Sequence, residues 1–464
     1  MKKALFMTVG TGTKTNNNNN HGRESQIQGI IFTISKMNPE FVLFFVSKES
    51  EQTIDLVKEK YYKKYNNEFD KKYNSDIVSL SDVYDFDSCY FEIEKEFPKY
   101  NDFDINVSFI GGTKIMTSCI CIWAGIFNKK IVIAKGEPDE NRKIRNTELE
   151  IKEPYEIQDK INFDKFKDAF DNHRFDFAKE KLKDINTLVN KEFFMELLDF
   201  YDTWDKFNDR IEISNNSESN KKTLSLNTHL RNIISKLKEN DNYDEILKNY
   251  PNFFNQIEKN QQFLDNKISK NNRKIATKIK FYLPDLLNNI ERRIKERKFD
   301  DAVARLYRAV ELISQIKLNN LDLIDLNRLK DNKVFHINKE SFKKKLYEYY
   351  DDGVVDCIFD FHVKKDFKSK PQDKTFRLAM NSNFFLLDDL KVNFAKKFIN
   401  DEKFKAEVQK RNNSILAHGL NPIDEKTANN LFESVLEYSF HLYPKIKDDM
   451  ILAKFPDFGG NNEN

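Results

Sequence analysis

Two places in the chain combine residue types that could do chemistry at spacings that could bring them together. The first is the run Lys410, Arg411, Asn412, Asn413, Ser414, Ile415, Leu416, Ala417, His418, Gly419. At about 100° per residue, positions seven apart return to almost one face of an α-helix, so Arg411 and His418 share a stripe with Phe404, Val408 and Ile415. An apolar stripe faces a core or a partner helix. A guanidinium and an imidazole set into it would project into a semi-enclosed interface. Gly419 is placed to end the helix, which leaves His418 in the last turn, where the macrodipole favours its protonated form. An Arg to stabilise a crowded phosphate and a His to move a proton suffice to cleave RNA without a metal ion. Arg followed by His at this spacing is expected about once by chance in a chain of this composition, so the pair gains meaning only from its setting.

The second place is a pair of small-residue loops. Gly10, Thr11, Gly12 and Thr13 follow a short apolar run at 3–9, and Gly111, Gly112, Thr113 and Lys114 follow another at 105–110. Glycine lets a ligand approach the backbone closely, and threonine hydroxyls supply donors. Lys114 should stand at a helix N-terminus, whose free N–H groups favour phosphate. The first loop holds Thr-Lys-Thr without the Gly that a Walker A loop needs before its Lys. Neither loop gives G-x-G-x-x-G with a later acid, so dinucleotide binding is poorly supported.

The elements that must position these residues differ along the chain. Apolar runs at 3–9, 41–46, 76–80, 105–110 and 130–134 alternate with helical patterns at 24–37, 51–64, 85–97 and 113–127. Strands alternating with helices imply an α/β domain around a mostly parallel, doubly wound sheet, with ligands at the carboxyl ends of the strands. The five-Asn run at 16–20 reads as a loop insertion without chemistry of its own. From Asn162 onward the pattern is helical, with amphipathic helices expected at 299–315, 339–350, 385–399, 402–418 and 425–442. Polar stretches near 213–223 and 257–275 read as loops or exposed helix ends. Trp204 reads as a core residue.

With 464 residues, the chain has room for two or three domains, each with its own core. Its 77 Lys and Arg against 75 Asp and Glu leave a charge of +2, which argues against a protein that wraps duplex DNA through a cationic face. Cys89, Cys119, Cys121 and Cys357 show no paired metal or disulfide spacing, and Cys119 and Cys121 read as core. The remaining histidines, among them His173, His229, His336, His362 and His441, form no i, i+4 ligand pair. No run reaches membrane-span length and no signal peptide is evident, so a cytoplasmic, reduced protein is expected.

Taken in order, these segments resemble the type III CRISPR-associated ribonucleases built from a CARF domain and a HEPN domain. Val9 to Gly12 and Gly111 to Lys114 are similar to the two CARF ligand loops. Arg411, Asn412 and His418 fit the HEPN pattern of Arg, a polar residue, then His after four to six residues. The segments Trp204 to Phe207 and Asp301 to Glu311 resemble stretches that precede the catalytic helix. The resemblance implies a Rossmann-like CARF domain at 1–155, a helical connector at 156–285 and a HEPN ribonuclease domain at 286–464, the last two all-α. It implies a homodimer that binds cyclic oligoadenylate as allosteric activator at Gly10, Thr11, Gly12, Thr13, Gly111, Gly112, Thr113 and Lys114. It also implies single-stranded RNA as substrate and no metal cofactor, with Arg411, Asn412 and His418 catalytic.

Two other readings stand beside this one. In one, the front half senses a nucleotide and regulates a helical binding module. In the other, a ring nuclease, the Thr11, Thr13 and Lys114 site cleaves the cyclic ligand itself. No carboxylate cluster is placed in the two loops to hold Mg²⁺ for a metabolic nucleotide enzyme.

Overall fold

Residues Ala4–Met7 and Phe41–Val46 are apolar at every position, so these strands can be covered on both faces. They are. We analysed a computed structural model of the chain, which describes residues 2–12, 21–138, 144–188, 190–214, 221–239, 248–268, 275–332, 334–366, 370, 372–412 and 420–459. Its N-terminal elements run β1 (Lys2–Val9), α1 (His21–Met37), β2 (Phe41–Val46), α2 (Gln52–Tyr65), α3 (Phe69–Lys72), β3 (Asn74–Ser79), α4 (Phe86–Glu96), β4 (Phe103–Ser108), α5 (Lys114–Ile126), β5 (Lys130–Pro138) and β6 (Ile144–Lys152). The sheet order is β3-β2-β1-β4-β5-β6, parallel except for the antiparallel pairing of β5 with β6. Ala4, Phe6, Leu43 and Phe45 pack with Cys119, Ile120 and Trp123 on one face. Leu5, Met7, Val42 and Phe44 pack with Ile27, Ile30 and Ile34 on the other.

The α/β expectation therefore holds, with one strand added. β6 lies at the sheet edge and carries Glu148 and Glu150, and Lys135 of β5 sits 2.8 Å from Glu150. Charge along an edge strand discourages pairing with other chains, and it also masks the apolar alternation. Helix ends in this domain use Asn where Gly is customary: Asn38, Asn66 and Asn128 follow α1, α2 and α5 with φ of 46°, 51° and 50°. Asn tolerates the left-handed region better than other residues with a side chain.

The chain divides into two compact units, 1–165 with 181–188, and 166–180 with 189–464, so residues of the expected connector fall in both. The second unit is helical, as expected, apart from the two-stranded ribbons Arg210–Ser214 with Lys221–Ser225 and Ile337–Asn338 with Thr375–Phe376. The first ribbon replaces the loop expected near 213–223. The stretch at 257–275, expected as a loop or an exposed helix end, is largely helix, Pro251–Ile268. Two of its polar residues, Asn260 and Lys267, are buried hydrogen-bonders. Asn260 donates to the carbonyls of Leu452 and Lys454 and accepts from the Tyr201 hydroxyl, and Lys267 sits 2.8 Å from Asp285 and 3.0 Å from Asp209. The expected helix at 385–399 is two helices, Met380–Asp389 and Asn393–Ile399, broken where Lys391 takes φ 60°. Trp204 is buried, its indole N–H donating to Asp285 at 3.0 Å. Cys89 and Cys119 are buried, while Cys121 is half-buried. No helix among the described residues is long and apolar enough to cross a membrane.

Candidate functional site

At the carboxyl ends of the parallel strands, the chain reverses its winding between β1 and β4, which are neighbours in the sheet. Such a switch point leaves a crevice. Here it opens into a cavity of about 1120 Å³. Gly10, Thr11 and Gly12 line it after β1, and Gly111, Gly112 and Thr113 line it after β4. The two loops touch through backbone: a Cβ on Gly10 would lie 2.7 Å from the Gly112 nitrogen. Gly12 (φ 78°) packs against the backbone of Arg23, and Gly112 takes φ 120°, a conformation that suits only glycine.

Hydroxyls hold this rim. Ser50 donates to the Val9 carbonyl at 2.8 Å and Thr53 to the Gly10 carbonyl at 3.1 Å, which ties the end of β1 to α2. Thr113 caps α5 by accepting from the Met116 N–H at 3.2 Å, and its hydroxyl donates to the Val83 carbonyl at 2.8 Å. That hydroxyl is therefore committed to the fold. Thr11 is exposed and donates to the Gly12 carbonyl at 3.4 Å. Lys114 begins α5, as expected, but its side chain is exposed and not part of the cavity wall. Thr13 and the five-Asn run lie outside the described residues.

Several wall residues were not singled out in the sequence. From the loop after β2 come Ser47 and Glu49, from the segment after β3 Tyr84, and from α1 Gly22, Ser25, Gln26 and Gly29. Glu49 is held below the usual carboxylate range by a backbone N–H and by Ser47, so the wall carries a negative charge there. The α1 residues recur at i, i+3, i+4 and i+7, one helical face. That small, polar stripe opposite Ile27, Ile30 and Ile34 was the signal available in the sequence.

The second candidate site lies in the helix Glu402–Asn412. Phe404 and Val408 of the expected stripe pack against Val303, Leu306, Tyr307 and Val310 of the Phe299–Asn320 helix and against Leu431 and Val435 of the Glu425–Leu442 helix. Asp401 fixes the helix start, accepting from the Phe404 N–H at 2.9 Å and from the Tyr438 hydroxyl at 2.5 Å. Burial and that carboxylate push the Tyr438 phenol far up, so it remains a donor. Arg411 and Asn412 are the last two residues of the helix. Residues 413–419, which include His418, lie outside the described residues. The chain beyond them is anchored: the Ile423 N–H donates to Asp300 at 3.3 Å, and Asp424 caps the next helix by accepting from the Thr427 N–H at 2.7 Å. The chain on either side of residues 413–419 is thus tied to the same helical core. Among the described residues no group of three or more His, Cys, Asp or Glu could hold a metal ion.

Comparison with protein families finds a match in the helical unit. Residues 271–441, which span Arg411 to His418, match the family model of the Csm6 HEPN domain. No curated protein matches the chain. Among solved structures, Csm6 of Enterococcus italicus bound to cyclic hexa-2′-fluoro-hexa-dAMP aligns over 98% of both chains, with 13% identity and a TM-score of 0.49.

Proposed function

We propose that the chain belongs to the type III CRISPR-associated CARF–HEPN family, whose Csm6 HEPN domain its residues 271–441 match, and that it is a single-strand-specific endoribonuclease switched on by cyclic oligoadenylate. The observation that carries the reading is the span of that match, which takes in both Arg411 and His418. The cavity supports the other half: glycine loops at a strand-order switch point admit a nucleotide to close backbone contact.

In the reaction, Arg411, Asn412 and His418 of two subunits form one composite site. The ribose 2′-OH attacks the adjacent phosphorus, giving up its proton to a general base. The P–O5′ bond breaks and the leaving 5′ oxygen takes up a proton, leaving a 2′,3′-cyclic phosphate and a 5′-OH. His418 serves as general acid or base, Arg411 stabilises the dianionic phosphorane, and Asn412 orients them. This chemistry needs a 2′-OH and no metal, so DNA is not a substrate. The ligand activates by binding the cleavage-competent dimer better than the idle one, and two-fold symmetry would present two copies of each glycine loop to one ring.

The test is incubation with labelled single-stranded RNA and a panel of cyclic oligoadenylates of different ring size in EDTA. Cleavage with one ring, despite chelation, is the expected result. A strict metal requirement, or cleavage indifferent to every ring, overturns the proposal.

A further inference from the structure

Gln26 is 8% exposed, and its amide nitrogen is buried without a hydrogen-bond partner. It belongs to the α1 face that lines the cavity. The amide lies over Gly111, where an added Cβ would stand 1.7 Å from Nε2 and 2.4 Å from Cδ. A side chain added at Gly111 would therefore displace this amide. A buried amide left unpaired is destabilising. Its position on a cavity wall suggests that the missing acceptor arrives with a ligand.

The rest of the wall indicates which part of the ligand that is. Among the described lining residues there is no Lys or Arg, and one acid, Glu49. Arg23 and Lys114 are not among them. Such a wall offers phosphate no neutralising charge. It does offer ring faces, from Phe109 and from Tyr84, which is 80% exposed, and base–aromatic stacking is a recurrent way to hold an unpaired nucleotide. A carboxamide carries a donor and an acceptor in one plane. Phosphate, with acceptors only, would use half of it, whereas the adenine edge formed by N6–H₂ and N7 uses both.

We propose that Gln26 is the adenine-reading residue of this cavity, donating to N7 and accepting from N6–H₂ of a base that enters between α1 and the Gly111 loop. This rests on the reading of the cavity as a cyclic oligoadenylate site. It goes further in assigning base identity, rather than phosphate charge, as what this wall recognises.

The experiment measures binding of the preferred cyclic oligoadenylate and of its 7-deazaadenine counterpart, which lacks the N7 acceptor, to the full-length protein and to Gln26→Leu. The wild type should bind the adenine ring roughly tenfold to a hundredfold more tightly than the 7-deaza ring. Gln26→Leu should bind both weakly and without preference. Gln26→Glu keeps the shape and loses the donor, and gives the same answer should the Leu variant fail to fold. A wild type that binds no cyclic oligoadenylate overturns the cavity assignment. A wild type that binds both rings equally, or a variant that keeps the preference, overturns the role of Gln26 and leaves the cavity assignment standing.

Discussion

Gly10 and Gly112 meet backbone to backbone, so close that a methyl group on Gly10 would sit 2.7 Å from the Gly112 nitrogen and 3.0 Å from its Cα. The loops after β1 and β4 are therefore one wall built from two distant parts of the chain. The loop after β1 cannot gain a side chain at Gly10 without the loop after β4 moving. Because backbone rather than a flexible side chain is in the way, the displacement is transmitted along the cavity rim.

Gly10→Ala should accordingly weaken cyclic oligoadenylate binding by tenfold or more, while the HEPN unit keeps its unfolding profile. Gly112→Ala adds backbone strain at φ 120°, on the order of 1–3 kcal/mol, and should lower the unfolding midpoint of the N-terminal unit as well. Activator titrations of RNA cleavage, run beside thermal melts, check both. An unchanged concentration dependence in Gly10→Ala would remove the loops from the ligand site.

Arg411→Ala and His418→Ala should each reduce RNA cleavage by roughly 10²-fold or more, the range for loss of a general acid–base or oxyanion-stabilising group. Activator affinity should not change in either. The readout is cleavage rate at saturating activator together with direct ligand binding. Wild-type cleavage by His418→Ala would end the nuclease assignment.

Asp401 connects the start of the Glu402–Asn412 helix to Tyr438 on the Glu425–Leu442 helix, with one carboxylate oxygen for each. Asp401→Ala loses the cap, about 1 kcal/mol, and leaves a buried phenol short of its acceptor, a further 1–3 kcal/mol or so. Cleavage should fall with stability, because the helix that carries Arg411 is no longer pinned. Asp401→Asn retains an acceptor for the cap and should recover most of the loss. Equal stability of the Ala variant and the wild type in urea titrations would show that the contact positions nothing.

Much of this architecture was legible because its pattern is periodic. The doubly apolar runs of β1 and β2 and the stripe containing Val303, Leu306 and Val310 needed no further context. Several of the failures share one cause, which is polar residues working inside the protein. Asn260 and Lys267 lie in a stretch that read as a loop or an exposed helix end, yet they satisfy the C-terminal carbonyls and the carboxylates of Asp285 and Asp209. Gln26 was not distinguished within the helical pattern at 24–37, since nothing local says that Gly111 lies beneath it. The break at Lys391 has no glycine or proline to announce it. The loop glycines themselves were legible, but the commitment of Thr113 to Val83 and the outward position of Lys114 depend on tertiary contacts.

Two neighbouring groups in the helical unit should give stability an unusual pH profile. Burial, reinforced by Arg292, holds the His173 imidazole down to about 3, whereas burial pushes the Asp171 carboxyl up to about 6 even though the Phe458 and Gly459 N–H groups donate to it. As pH falls below 6.5, the unfolded chain takes up a proton at His173 that the folded chain refuses, so stability drops until about pH 3. As pH falls from 6 to 3.8, the folded chain takes up a proton at Asp171 that the unfolded chain does not, so stability rises. The two effects oppose each other over most of the mildly acid range, leaving their combined contribution nearly flat there. Substitution separates them. His173→Asn, which suits the left-handed φ of 57°, should leave a protein that gains on the order of 1–2 kcal/mol on acidification from pH 6 to 4, after discounting Asp171 for partial exposure. Asp171→Asn should instead lose stability steadily below pH 6.5. Denaturant midpoints across this range decide the matter, and parallel profiles for the two variants would show that these groups do not titrate as their surroundings require.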